Sequence, residues 1–262
     1  IKCYVYNIYR IKFKEEIKMK KAIKITAKVL LSTALLSSII IPTSNQARAD
    51  WKQDSNGWWY DWGGGKYSAG GSWFIGGNFY RFDKRGYMIT GWYYEKKENN
   101  WYYYDPVNGD EKNGWQKING KWYLFARIML TGYHYVNGKH YYLDPVNGDM
   151  KTGWIKFNEG WHYFDSESGA QVEQTWRYIN GNWYYFNSAA ATGFQYINGK
   201  RYYFDPVNCD MKTGWIKVNG VQYYMDPNDG GAVAINKVLL MNGVYYTFDG
   251  AGKLIKVELA NK

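Results

Sequence analysis

Cysteine, histidine and proline are scarce in this chain: its 262 residues include 2, 3 and 5 of them. Cys3 falls in a leader-like stretch, so a processed chain keeps only Cys209 and can form no internal disulfide. Stability must then come from the fold itself. Cys209 stands where an otherwise similar turn has Gly148, and reads as a tolerated surface change. The counterparts of His134 and His140 61 residues on are Gln195 and Arg201, and those of His162 in other repeats are tyrosines, so no metal and no other cofactor is expected. Asp105, Asp144 and Asp205 each precede Pro, as does Asp226, where Asp initiates turns rather than catalysis. No phosphate loop or nucleophile–base pair is present, and an enzyme is not expected. Long apolar runs are also missing. The run Val29 to Ile41 is 13 residues, short of the roughly 18 to 20 that span a bilayer. Met19-Lys20-Lys21 precedes it and Ala47-Arg48-Ala49 follows, which reads as a secretory signal peptide over residues 19–49. Residues 1–18 read as an over-extended N-terminus, and no integral membrane span is expected after cleavage. The first 49 residues hold 10 of the 33 basic and 2 of the 23 acidic side chains. The remainder therefore carries net +2 rather than +10, and nucleic-acid binding loses its electrostatic basis.

Aromatic residues are abundant instead: 14 Trp, 28 Tyr and 11 Phe. A compact core would not absorb so many, so rings must be exposed or shared between repeating units. Units begin near residues 51, 71, 91, 114, 132, 153, 175, 193, 214 and 237, with lengths of 18 to 23 residues. The clearest is GWQKINGKWYLF, Gly114 to Phe125. Asn119-Gly120 signals a two-residue type I′ hairpin turn, because both positions need φ > 0. That turn sets Lys117 opposite Trp122 and Trp115 opposite Leu124. Trp115 and Trp122 then share a face as diagonal neighbours roughly 7 Å apart, an open cleft. Ile118, Tyr123 and Phe125 share the other face and pack between repeats. GYHYVNGKHYYLDPVNGDMKTGWI from Gly132 returns nearly unchanged from Gly193, so a 61-residue period overlies the short one. The fold class is all-β: a solenoid of about ten hairpin repeats, about three per turn, each burying its inner face on its neighbours. Residues 50–90 are divergent N-terminal repeats, 91–236 regular ones, and 237–262 a C-terminal cap ending in the strand LIKVEL.

GWxxxNGxWYYF, followed by a turn, an apolar residue and Thr-Gly, resembles the cell-wall-binding or choline-binding repeat from Trp51 to about Gly252. That family occurs in Gram-positive surface proteins, lytic enzymes and phage endolysins, and is related to glucan-binding and clostridial toxin repeats. The resemblance implies a cage at each junction: two aromatics from one hairpin, closed by a tyrosine of the next. Such rings suit quaternary ammonium groups. Four sets match: Trp92, Trp101 and Tyr123; Trp115, Trp122 and Tyr141; Trp154, Trp161 and Tyr184; Trp176, Trp183 and Tyr202. Trp51, Trp59 and Tyr80 make a fifth, irregularly spaced candidate. Tyr133 with His140, Phe194 with Arg201, and Trp215 with Gln222 depart from the pattern, and Arg201 should close its junction to a cation. The implied role is a secreted, non-covalently wall-attached protein binding choline-substituted teichoic acids. Carbohydrate binding, to glucan or another cell-wall glycan polymer, and a protein-binding adhesin or spacer are the alternatives.

Overall fold

The computed structural model describes residues 49–157 and 160–260. Residues 1–48, with nearly all of the expected leader, and residues 158–159 and 261–262 lie outside the described residues. Among the described residues ten antiparallel hairpins follow one another. Hairpins 1 to 5 pair Asp50–Asp54 with Gly57–Gly63, Gly71–Ile75 with Asn78–Phe82, Gly91–Glu95 with Asn100–Tyr104, Gly114–Ile118 with Lys121–Ala126, and Gly132–Val136 with Lys139–Leu143. Hairpins 6 to 10 pair Gly153–Phe157 with Gly160–Phe164, Thr175–Ile179 with Asn182–Phe186, Gly193–Ile197 with Lys200–Phe204, Gly214–Val218 with Val221–Asp226, and Val238–Met241 with Val244–Phe248. Each forms its own two- or three-stranded sheet. The all-β reading therefore holds among the described residues, with a short 3-10 turn at Pro227–Asp229.

Turn chemistry explains the regularity. Asn119 and Gly120 have φ of 49° and 81°, and Asn137-Gly138, Asn180-Gly181, Asn198-Gly199, Asn219-Gly220 and Asn242-Gly243 are likewise positive at both positions. The register follows as expected, with Lys117 opposite Trp122 and Trp115 opposite Leu124. Hairpin 3 has a longer loop, yet Trp92 still opposes Tyr103 and Tyr94 opposes Trp101, the same diagonal relation. The extra residues are absorbed outside the ladder.

No single core exists among the described residues; burial is distributed along the array. In hairpins 2 to 10 one side chain, near the end of the second strand, is at most 2 % exposed: Phe82, Tyr104, Phe125, Leu143, Phe164, Phe186, Phe204, Met225 and Phe248. In most hairpins it faces a glycine across the ladder, as Phe125 faces Gly114. Each such burial contributes about 1.5–3 kcal/mol, and the preceding hairpin supplies the cover. Trp92 packs on Phe125 at 5.7 Å, Trp154 on Phe186 at 5.5 Å and Trp176 on Phe204 at 5.6 Å.

Linkers tie non-adjacent hairpins. Met150 N, past hairpin 5, donates to Trp122 O of hairpin 4, and Met211 N donates to Trp183 O in the same way, both at 2.8 Å. Contacts also reach two hairpins on. Ser168, after hairpin 6, lines a cavity with Trp115 and Trp122 of hairpin 4. Arg201 Nη1 of hairpin 8 donates to Ala251 O beyond hairpin 10 at 2.9 Å. Such returns are what a path of about three hairpins per turn requires. At the C-terminal end Leu254–Leu259 pairs with Val244–Phe248.

Cys209 corrects one expectation. It is 3 % exposed, not at the surface, and clusters with Val172, Tyr184 and Ala190. Burial pushes its thiol pKa up, which makes it unreactive.

Candidate functional site

The hairpin register decides which rings can meet. In hairpin 4 the first-strand Trp115 and the residue two later, Lys117, project to one face, and Trp122 lies opposite Lys117. The next hairpin delivers a tyrosine to the open side: Tyr141 lies 4.9 Å from Trp115 at an interplanar angle of 63°. Trp115, Trp122 and Tyr141, with Met150 and Ser168, enclose a cavity of about 230 Å³. Met150 is placed there by its backbone bond to Trp122 O. The cavity thus draws on hairpins 4 and 5 and the linkers after hairpins 5 and 6.

The other three predicted sets assemble alike. Trp92 lies 6.0 Å from Trp101 and 5.0 Å from Tyr123. Trp154 lies 6.4 Å from Trp161 and 4.8 Å from Tyr184. Trp176 lies 6.4 Å from Trp183 and 5.0 Å from Tyr202. In each set the rings stand nearly perpendicular, between 73° and 89°, except the 63° of Trp154 on Tyr184 and the 72° of Trp176 on Tyr202. Rings at right angles form walls instead of a closed stack. The second tryptophan stays open to solvent, with Trp101 and Trp122 both 40 % exposed and Trp183 46 %.

At the N-terminal junction the expected trio needs one change. Trp51 lies 4.8 Å from Tyr80 at 62°, matching the regular sets. Gln53, two residues after Trp51, opposes Trp58, while Trp59 opposes Lys52. Trp58 therefore holds the second-ring place and Trp59 faces the other way, towards Tyr67. The adjacent Trp58-Trp59 pair hid this, because a one-residue slip exchanges faces.

Four junctions hold no open trio. Between hairpins 5 and 6, Tyr133 stacks on His140 at 4.9 Å. Tyr133 donates to Gln171, whose amide lies 3.0 Å from His162 Nδ1, and His140 Nδ1 lies 3.1 Å from Glu173. Burial pushes the Tyr133 hydroxyl pKa up to about 12, with Glu173 acting in the same sense. Between hairpins 8 and 9 the Arg201 guanidinium lies 3.8 Å over Phe194. Between hairpins 2 and 3, Ser72 stands in the first-ring place and Phe79 in the second. The last junction has Trp215 at 4.9 Å from Tyr246 but Gln222 in place of a second tryptophan.

Sequence reasoning missed one further feature. Trp62, Tyr67 and Trp73 line an open cleft of about 680 Å³ with Lys66 at its edge. Both indole N–H groups are engaged internally, by Ser68 Oγ and Ala69 O, so the rings offer faces and no donors. The Gly63-Gly64-Gly65 turn was the signal, since it bends the second strand of hairpin 1 back on itself. Among the described residues no group of three His, Cys, Asp or Glu could hold a metal ion. No helix among them is long and apolar enough to cross a membrane.

The chain matches the family model described as the choline-binding repeat over residues 70–111, 130–176 and 191–237. It matches the putative cell wall binding repeat over 113–126 and 174–189. Among solved structures it is similar to choline binding protein F from Streptococcus pneumoniae, crystallised in the presence of a peptidoglycan analogue. Identity to that protein is 33 %, over 68 % of this chain and 61 % of that one, with a TM-score of 0.59. CbpJ from Streptococcus pneumoniae is 24 % identical over 79 % of this chain and 100 % of its own, with a TM-score of 0.57. The modular autolysin LytC from the same species is 24 % identical over 79 % of this chain and 48 % of its own, with a TM-score of 0.53. The last two show likeness of fold. The chain spans 61 % of the length of choline binding protein F. No curated protein sequence matches it.

Proposed function

This chain belongs to the choline-binding repeat family, and on that premise we propose that it is a secreted, non-catalytic wall-binding protein. Its junction cages take choline groups of teichoic or lipoteichoic acids, and this non-covalent hold keeps it at the cell surface once the leader is removed. The observation that carries the reading is a first-strand tryptophan met steeply by a tyrosine of the next hairpin at five junctions, each with an outer tryptophan left open. A quaternary ammonium ion cannot donate hydrogen bonds and gains from ring quadrupoles, about 0.5–2 kcal/mol per ring depending on desolvation. One such cage is weak, roughly millimolar or about −4 kcal/mol. Several cages on one polymer gain by effective concentration. A glycan stacking on Trp62 and Trp73 is a second reading, supported by the wide cleft whose one cation, Lys66, disfavours choline.

The test is affinity chromatography. The chain should stay on a choline-substituted matrix and leave with free choline. Retention on dextran but not on choline would reverse the order of the two readings. Trp122→Ala should elute earlier with its fold intact. Phe125→Ala, which empties a buried site, should cost about 3–5 kcal/mol and melt neighbouring repeats. Equal loss of structure in both would remove Trp122 from the binding surface.

A further inference from the structure

At the junction of hairpins 8 and 9, Phe194 and Tyr223 lie 5.0 Å apart at 60°, close to the geometry of the open cages. Phe194 and Tyr223 hold the places that Trp115 and Tyr141 hold in hairpins 4 and 5. In the second-ring place the register puts Arg201 opposite Tyr196. Its Cζ lies 3.8 Å over Phe194, 5.9 Å from the Tyr196 ring and 6.0 Å from the Tyr223 ring. Nη1 reaches out of the cage to Ala251 O at 2.9 Å. A planar guanidinium suits this place, since it stacks on ring faces while its edge donates.

We propose that Arg201 is the resident cation of its own cage. The side chain does more than repel an incoming cation: it takes the position a ligand takes elsewhere and fastens hairpins 8, 9 and 10 together with no ligand. This rests on reading the open cages as cation sites. The junction three hairpins earlier along the 61-residue period is closed by His140, and the one before that by arginines. There Arg127 Cζ lies 4.3 Å over Phe79, held by Glu111, and Arg81 Cζ lies 3.9 Å over Tyr93. Every third junction is thus closed by the chain's own side chains, and the open cages stand in adjacent pairs between them. Residue 201 sets which kind its junction is.

Amide hydrogen exchange on the full chain tests this, read over residues 214–225 of hairpin 9, which contribute to no open cage, with and without choline. In the wild type choline should leave this segment unchanged. Arg201→Ala should speed its exchange roughly five- to thirty-fold, and either choline or methylguanidinium should restore protection. Arg201→Trp, which rebuilds a three-ring wall, should show protection that depends on choline, and it serves if the alanine variant does not fold. The proposal falls if Arg201→Ala exchanges like the wild type, if neither cation restores it, or if choline protects this segment in the wild type. Should choline protect no junction anywhere, the proposed function fails. Rescue of Arg201→Ala by methylguanidinium would still decide the role of Arg201.

Discussion

The turn aspartates are where single residues control the spacing of the array. Asp105 Oδ1 accepts from the N–H groups of Val107 and Asn108, and Lys112 Nζ lies 2.6 Å from its other oxygen. The Lys112 ammonium, with those N–H groups, holds its pKa down at about 2. Asp144 repeats the arrangement, its pKa pushed down to about 2 chiefly by the Asn147 N–H and then by Lys151. A carboxylate with a depressed folded pKa adds stability above its unfolded value, near 3.9. That contribution is lost as pH falls through the folded value. The melting midpoint should therefore be level from pH 7 to about 5 and fall between about pH 4 and 2. Asp144→Asn should flatten part of that fall. A midpoint unchanged down to pH 2 would mean that these turns are not formed in solution. At this scale the sequence was legible where chemistry dictates a conformation, as in Asp before Pro or Asn before Gly. It was not legible at Trp58 and Trp59, where two like residues sit on opposite faces and only the ladder tells them apart.

Linkers obey a packing rule that crosses repeats. A Cβ on Gly148 would come within 2.4 Å of the Met129 sulfur, and one on Gly109 within 2.1 Å of that of Met88. Gly169 meets Met150 and Gly231 meets Met211 in the same way. At the fifth such place the methionine is replaced by Ala190 and the glycine by Cys209, and those two pack in one cluster. The thiol fills space that a methionine fills elsewhere, although Cys209 must hold φ at 63° to do it. Ala190→Met should be destabilising on its own, by about 1–3 kcal/mol. In the Cys209→Gly background it should be nearly neutral, leaving a coupling of about 0.5–3 kcal/mol. Denaturant unfolding of the four proteins measures it, and simple additivity would refute the pairing. Hairpin registers could be read in advance because an Asn-Gly turn fixes φ and register together. The exchange of Met–Gly for Ala–Cys could not, since its two halves lie in different linkers and neither is unusual alone.

Across the whole molecule, the two periods visible in the sequence acquire distinct meanings. The short one builds a hairpin with half a cage; the 61-residue one decides whether the next junction is open or closed by the chain itself. Which rings pair across a junction was not fixed by local pattern, because the closing tyrosine belongs to another hairpin; the family resemblance supplied that step. The arrangement places open cages in pairs, Trp92 beside Trp115 and Trp154 beside Trp176, suited to a ligand that repeats along a polymer. One measurement tests this most directly: the indole N–H resonances of the 14 tryptophans, followed as choline is added. Ten should shift and saturate: Trp51 and Trp58, Trp92 and Trp101, Trp115 and Trp122, Trp154 and Trp161, and Trp176 and Trp183. Trp59, Trp62, Trp73 and Trp215 should stay where they are. Movement of all 14 together, or of none, would contradict the account.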